Sequence, residues 1–152
     1  AALAPFFRVV GLGDQVGGEP VARLQYALAS GNEVTETGFW IHDDIMAGAS
    51  PDGFVGEDGC IEIKCPNTAT HIETLRKGEV PYQYKWQVQG QMWITGRKWC
   101  DFISFDPRLP ENAQMIVVTV DRDEAMIEQL EAEVKEFLKE VDATVDFIKK
   151  FE

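Results

Sequence analysis

Two carboxylates and a lysine stand in the segment SPDGFVGEDGCIEIKCP, residues 50–66: Asp52, Glu62 and Lys64. Side chains alternate across a strand, so Glu62 and Lys64 share one face of the run from Cys60 to Cys65, while Ile61, Ile63 and Cys65 occupy the other. GEDG, residues 56–59, is a hairpin turn signal, and such a turn brings Asp52 on the opposite arm back toward Glu62. Two carboxylates at that range repel each other unless a cation lies between them. A hard divalent ion such as Mg²⁺ takes one or two carboxylates, some waters and substrate phosphate oxygens. The ammonium of Lys64 can then orient or deprotonate an attacking water, or neutralise charge building on a phosphorane. Spacing alone describes an exposed hairpin equally well, with a Glu62–Lys64 surface pair of little worth. Three features favour the metal site. Ser50-Pro51-Asp52-Gly53 holds the first acid in a tight turn, apolar runs flank both arms, and Pro66 stops the strand one residue after its last core position.

These groups need a scaffold, and the hydrophobic pattern supplies one. Residues 19–29 predict a helix, with Pro20 in its first turn and Val21, Leu24 and Leu28 on one stripe. Residues 34–42 and 45–49 read as strands, as do 60–65, 98–105 and 115–120. Residues 81–95 predict a second helix, on which Tyr84, Gln87 and Gln91 fall on one face; that face serves a site or simply meets solvent. From 123 to 151, Ile127, Leu130, Val134, Phe137, Val141, Val145 and Ile148 hold the spacing of a long amphipathic helix. The order predicts an α/β or α+β fold, a mixed central sheet flanked by helices, as one domain over residues 1–152.

Charge narrows the partners. A formal net charge of −12 excludes a generally adhesive polyanion binder, although 11 acids against 5 bases from Asp121 onward account for half of it. Bases elsewhere cluster beside aromatics, so a DNA path would be local and lined by Arg76, Lys77, Lys85, Arg97 and Lys98. Lys77 and Lys85 lead into the Gln87 helix and are the first candidates for phosphate contacts, while any one of these bases taken singly reads as a solvated surface charge. Three cysteines without a CxxC pair exclude a zinc knuckle or a disulfide framework, and His42 and His71 are too isolated for a histidine metal site. No apolar run reaches membrane-spanning length and the opening residues do not read as a signal peptide, which predicts a cytoplasmic protein.

In sequence, ASPDG followed by IEIKCP resembles the metal-binding core of the PD-(D/E)xK nucleases, and more narrowly the phage lambda exonuclease and YqaJ-like viral recombinase family. EPVARLQY (19–26) is similar to that family's first-helix motif, YKWQVQGQMW (84–93) to its tyrosine and glutamine helix, and WCDFISFDPRL (99–109) to the strand that follows. The resemblance implies that Asp52, Glu62, the Ile63 carbonyl and Glu19 serve the metal. It makes Lys64 the catalytic lysine, with Gln87 beside it, and gives Tyr84 and Ser50 to the substrate. The implied activity is a Mg²⁺-dependent exonuclease, with Mn²⁺ able to substitute, cutting 5′→3′ from double-stranded DNA ends in phage recombination within a bacterial host. A ring-shaped homo-oligomer, a trimer, and a single-strand annealing recombinase are the implied partners. The alternatives are a structure-specific or restriction-like endonuclease, or a silent DNA-binding module of the same fold. Family members carry a longer N-terminal region whose tryptophan, arginine and serine grip the DNA end. Arg8 is the only base before Arg23 here, so that region is expected to be shortened or missing.

Overall fold

The hairpin expected around Asp52 and Glu62 forms in the computed structural model, which describes residues 18–151. Its arms are β4 (Gly53–Val55) and β5 (Gly59–Lys64), paired antiparallel with Gly53 opposite Ile61. Gly56 turns the chain at φ +56°, a conformation that costs glycine little and any other residue more. On the outer side of β4 lies β1 (Val34–Thr35); on the far side of β5, β6 (Trp99–Phe105) runs parallel and β7 (Met115–Asp121) antiparallel to it. The five-stranded mixed sheet has the order β1-β4-β5-β6-β7.

Helices cover both sheet faces. Helix α1 (Gly18–Ser30) lays Ala22 and Tyr26 on Ile61, Ile63, Ile103 and Phe105. The Tyr26 hydroxyl donates to Asp101 Oδ2 on β6 at 2.6 Å, fixing the helix against the sheet. Gly18 lets the start of α1 approach the end of β5: a Cβ there would come within 2.8 Å of Cys65 Sγ. On the opposite face, helix α3 (Tyr82–Thr95) sets Val88 and Met92 on Cys60, Cys100 and Phe102. Helix α4 (Glu124–Ile148) forms an outer layer, burying Ile127, Leu130 and Val134 with Trp93 of α3. Among the described residues no helix is long and apolar enough to cross a membrane.

Four local expectations need correction. The stretch 34–42 is not one strand: β1 is followed by β2 (Trp40–Ile41), which among the described residues pairs only with the short β3 (Gly48–Ala49), the remnant of the strand expected at 45–49. The stripe Val21, Leu24 and Leu28 on α1 is exposed, Leu28 at 76%, because a small and an aromatic residue one turn apart fit the sheet instead. The apolar stripe of α4 is buried only in its first three turns; Val145 and Ile148 lie exposed. Finally, helix α2 (Thr68–Lys77) has no counterpart among the expected elements. Its signals are caps, not periodicity: Asn67 accepts from the Thr70 N–H, and Gly78 at φ +63° closes the end. His71 sits on α2 fully buried, bonded to Ser104 Oγ at 2.7 Å and the Ala113 carbonyl at 2.9 Å.

Candidate active site

Strand β5 is buried along its whole length, because both sheet faces carry a helix. The face of Glu62 and Lys64 is therefore covered by α3, not solvated, and Glu62 is only 2% exposed. A carboxylate so placed must be paired and hydrogen-bonded. Lys64 Nζ lies 2.7 Å from Glu62 Oε1, and Gln87 Nε2 donates to the same oxygen at 2.6 Å. Gln91, one helical turn further along α3, donates its Nε2 hydrogen to Glu62 Oε2. Tyr84, one turn before Gln87, places its ring 5.0 Å from Lys64 Nζ and stacks on Phe102. Three side chains of one helix face thus converge on one strand face, as the spacing of Tyr84, Gln87 and Gln91 predicts.

Asp52 reaches the same place from the neighbouring arm. Its backbone N–H donates to the Ile61 carbonyl at 3.2 Å, and its Oδ2 accepts from the Ile63 N–H at 2.6 Å. Burial, and next the charge of Glu62, push the Asp52 carboxyl up to about 8, against the lowering influence of the Ile63 N–H and of Lys64. The charge of Glu19 pushes the same way. Glu19 itself, at the start of α1, is held by Arg23 Nη2 at 2.6 Å. The same guanidinium donates from Nε to the Asp52 carbonyl at 3.1 Å and from Nη1 to Glu36 at 2.9 Å. Arg23 therefore ties α1 to the Asp52 turn, a role the sequence signals only through its position four residues after Glu19.

The other expected residues divide. Ser50 is exposed beside the buried Pro51, at the mouth of the Asp52 turn. Lys85 is exposed on α3, and Lys77 is exposed at the end of α2 with Glu73 at 2.6 Å. Arg97 and Lys98 gather elsewhere, at the turn end of the β4–β5 hairpin and not at the Lys64 end. Arg97 donates to the Gly56 carbonyl at 2.7 Å and stacks 3.8 Å from the Phe54 ring centroid, while Lys98 pairs with Asp58 at 3.0 Å. Their work is to close the turn. Arg8 lies outside the described residues.

The donor set suits a hard cation. Among the described residues no three His, Cys, Asp or Glu side chains converge as a ready-made metal cage. Two carboxylates brought together, one of them raised by burial and next by the charge of the other, are what a Mg²⁺-type ion needs when waters and phosphate fill its remaining positions. Soft ligands are not in reach of that role: Cys60, Cys65 and Cys100 are all buried in the apolar clusters.

A family model described as the YqaJ-like viral recombinase domain matches residues 16–98, more than half of the chain. No curated protein sequence matches at a significant level. Among solved structures, an alkaline exonuclease from Laribacter hongkongensis is 49% identical with a TM-score of 0.85, over 87% of this chain and 69% of that one. The same enzyme in complex with dAMP aligns at 45% identity and a TM-score of 0.88, over 93% of this chain and 75% of that one. A phage related exonuclease from Haemophilus somnus 129PT, at 15% identity and a TM-score of 0.68 over 86% and 70% of the two chains, shares the fold.

Proposed function

Since this chain belongs to the YqaJ-like viral recombinase family, we propose that it is a metal-dependent deoxyribonuclease, an exonuclease that digests double-stranded DNA from its ends, 5′→3′, during phage recombination. The observation that carries the reading is the pair of the half-buried Asp52 and the buried Glu62 on adjoining arms of one hairpin, with Lys64 on Glu62. Asp52, Glu62 and the Ile63 carbonyl would hold Mg²⁺ or Mn²⁺, with Glu19 at the margin of the site. Once bound there, such an ion would supply Lewis-acid stabilisation of the phosphate and would lower the pKa of water. Lys64, held against Glu62 and the Tyr84 ring, presents a proton-bearing ammonium to the reacting phosphate. Gln87 fixes the Glu62 carboxylate, and the exposed Ser50, Lys77 and Lys85 would meet the DNA backbone. A homo-oligomeric ring, a trimer, would present its acidic outer surfaces to solvent and its basic side to the duplex, handing the product strand to a single-strand annealing recombinase.

The test is digestion of linear against covalently closed duplex, with Mg²⁺, with Ca²⁺ and with EDTA. Linear DNA should be degraded in Mg²⁺ alone, and Ca²⁺ should support binding with little turnover because its bonds are longer and its geometry looser. Cleavage of closed circles would make the protein an endonuclease; cleavage that persists in EDTA would remove the metal from the reading.

A further inference from the structure

Helix α3 buries two glutamines equally, Gln89 and Gln91 at 3% exposure each, yet the two are bonded in opposite ways. Gln89 has both ends satisfied by backbone: its Nε2 donates to the Asp121 carbonyl at 2.9 Å and its Oε1 accepts from the Asp123 N–H at 2.9 Å. It joins α3 to the end of β7 and the start of α4. Gln91 instead donates to Glu62 Oε2, and its own Oε1 is buried with no partner among the described residues. Turning the amide over would set a carbonyl oxygen against a carboxylate oxygen, so the N–H is the end that faces Glu62. A buried carbonyl oxygen left unpaired costs stability, and an apolar residue of the same size would avoid that cost. The chain keeps the amide where only its donor is used.

That donor completes an account of the Glu62 lone pairs. A carboxylate offers about four acceptor sites. Lys64 and Gln87 both take Oε1, and Gln91 takes one site on Oε2. Among the described residues one site is left, on Oε2. We propose that Gln91 is a positioning residue that pins the Glu62 carboxylate so that this remaining Oε2 lone pair is the one given to the divalent ion. The inference rests on the metal-site reading above and adds to it a group that does not touch the ion.

The experiment is Mn²⁺ binding measured by calorimetry without DNA, on the parent, Gln91→Met and Gln89→Met. Groups that hold a ligand in place typically carry 10–100-fold in metal affinity. Gln91→Met should therefore bind Mn²⁺ about tenfold or more weakly, with a lower kcat at unchanged KM for linear duplex. Gln89→Met should lower thermal stability and keep the parental Mn²⁺ affinity. Parental Mn²⁺ affinity in Gln91→Met would overturn the inference while leaving the proposed function intact; a parent protein that binds no Mn²⁺ overturns both. Should Gln91→Met fail to fold, the parent answers by NMR. Its Gln91 side-chain amide signals should move when Mg²⁺ is added while those of Gln89 stay, and stationary Gln91 signals count against the proposal.

Discussion

The backbone N–H of Ile63 donates to Asp52 Oδ2 at 2.6 Å, across the hairpin and between the two residues that flank it in sequence, Glu62 and Lys64. One bond therefore sets the first acid in register with the second. It also explains how a raised carboxyl is kept in place: the N–H favours its ionised form while burial and Glu62 oppose it. The site holds a repulsion that the surrounding fold tolerates.

Relieving that repulsion should separate stability from activity. Asp52→Asn and Glu62→Gln keep shape and remove a charge, so each is expected to lower digestion of linear duplex by more than about 100-fold. Asp52→Asn should at the same time raise the melting temperature of metal-free protein at alkaline pH, by a few degrees for roughly 1 kcal/mol. A parental digestion rate in both variants would place the chemistry elsewhere.

Stability of the metal-free protein should fall as pH rises. The unfolded chain releases the Asp52 proton near pH 3.9, whereas the folded chain holds it to about 8. Between those values the folded state binds more protons, so the contribution of Asp52 is full below the lower value and is lost as pH rises through about 8. Asp106 works the other way: the Arg108 fork holds its carboxyl well below the usual range, and its contribution is lost only as acid approaches. Thermal melts in EDTA should therefore slope downward from about pH 5 to about pH 9, more shallowly in Asp52→Asn. Mg²⁺ should stabilise most at the alkaline end, where it no longer displaces a proton.

The buried His71 should matter to folding and not to chemistry. His71→Ala leaves a cavity and strips partners from Ser104 and the Ala113 carbonyl, a loss of roughly 2–4 kcal/mol. Below the lowered melting temperature, Mn²⁺ affinity should match the parent. A variant that melts normally yet loses metal would give α2 a direct part in the site.

The basic residues near the α3 helix can be tested together. Reversing Arg76, Lys77 and Lys85 to glutamate should weaken duplex binding in Ca²⁺ for every sequence alike. The slope of log affinity against log salt should drop by about one for each DNA phosphate that is no longer neutralised. Arg97 is left out because it closes the hairpin turn. An unchanged slope would put the DNA on another surface and support a fold that has lost its substrate.

Much of this was legible in the sequence, for local reasons. Strand alternation put Glu62 and Lys64 on one face, helical spacing put Tyr84, Gln87 and Gln91 on another, and the turn at 56–59 set Asp52 beside them; these follow from backbone geometry alone. What the spacing left open, a solvated face or a covered one, depends on what packs against it. Only the tertiary structure laid α3 over β5, buried Glu62, and made Gln91 a partner of its second oxygen while Gln89, two residues away, turned to β7 and α4. The same holds for α1, whose Val21, Leu24 and Leu28 stripe faces out because Ala22 and Tyr26 fit the sheet. Hydrophobicity along a chain says which residues favour burial; which of them find a neighbour is decided by elements brought together from distant parts of the sequence.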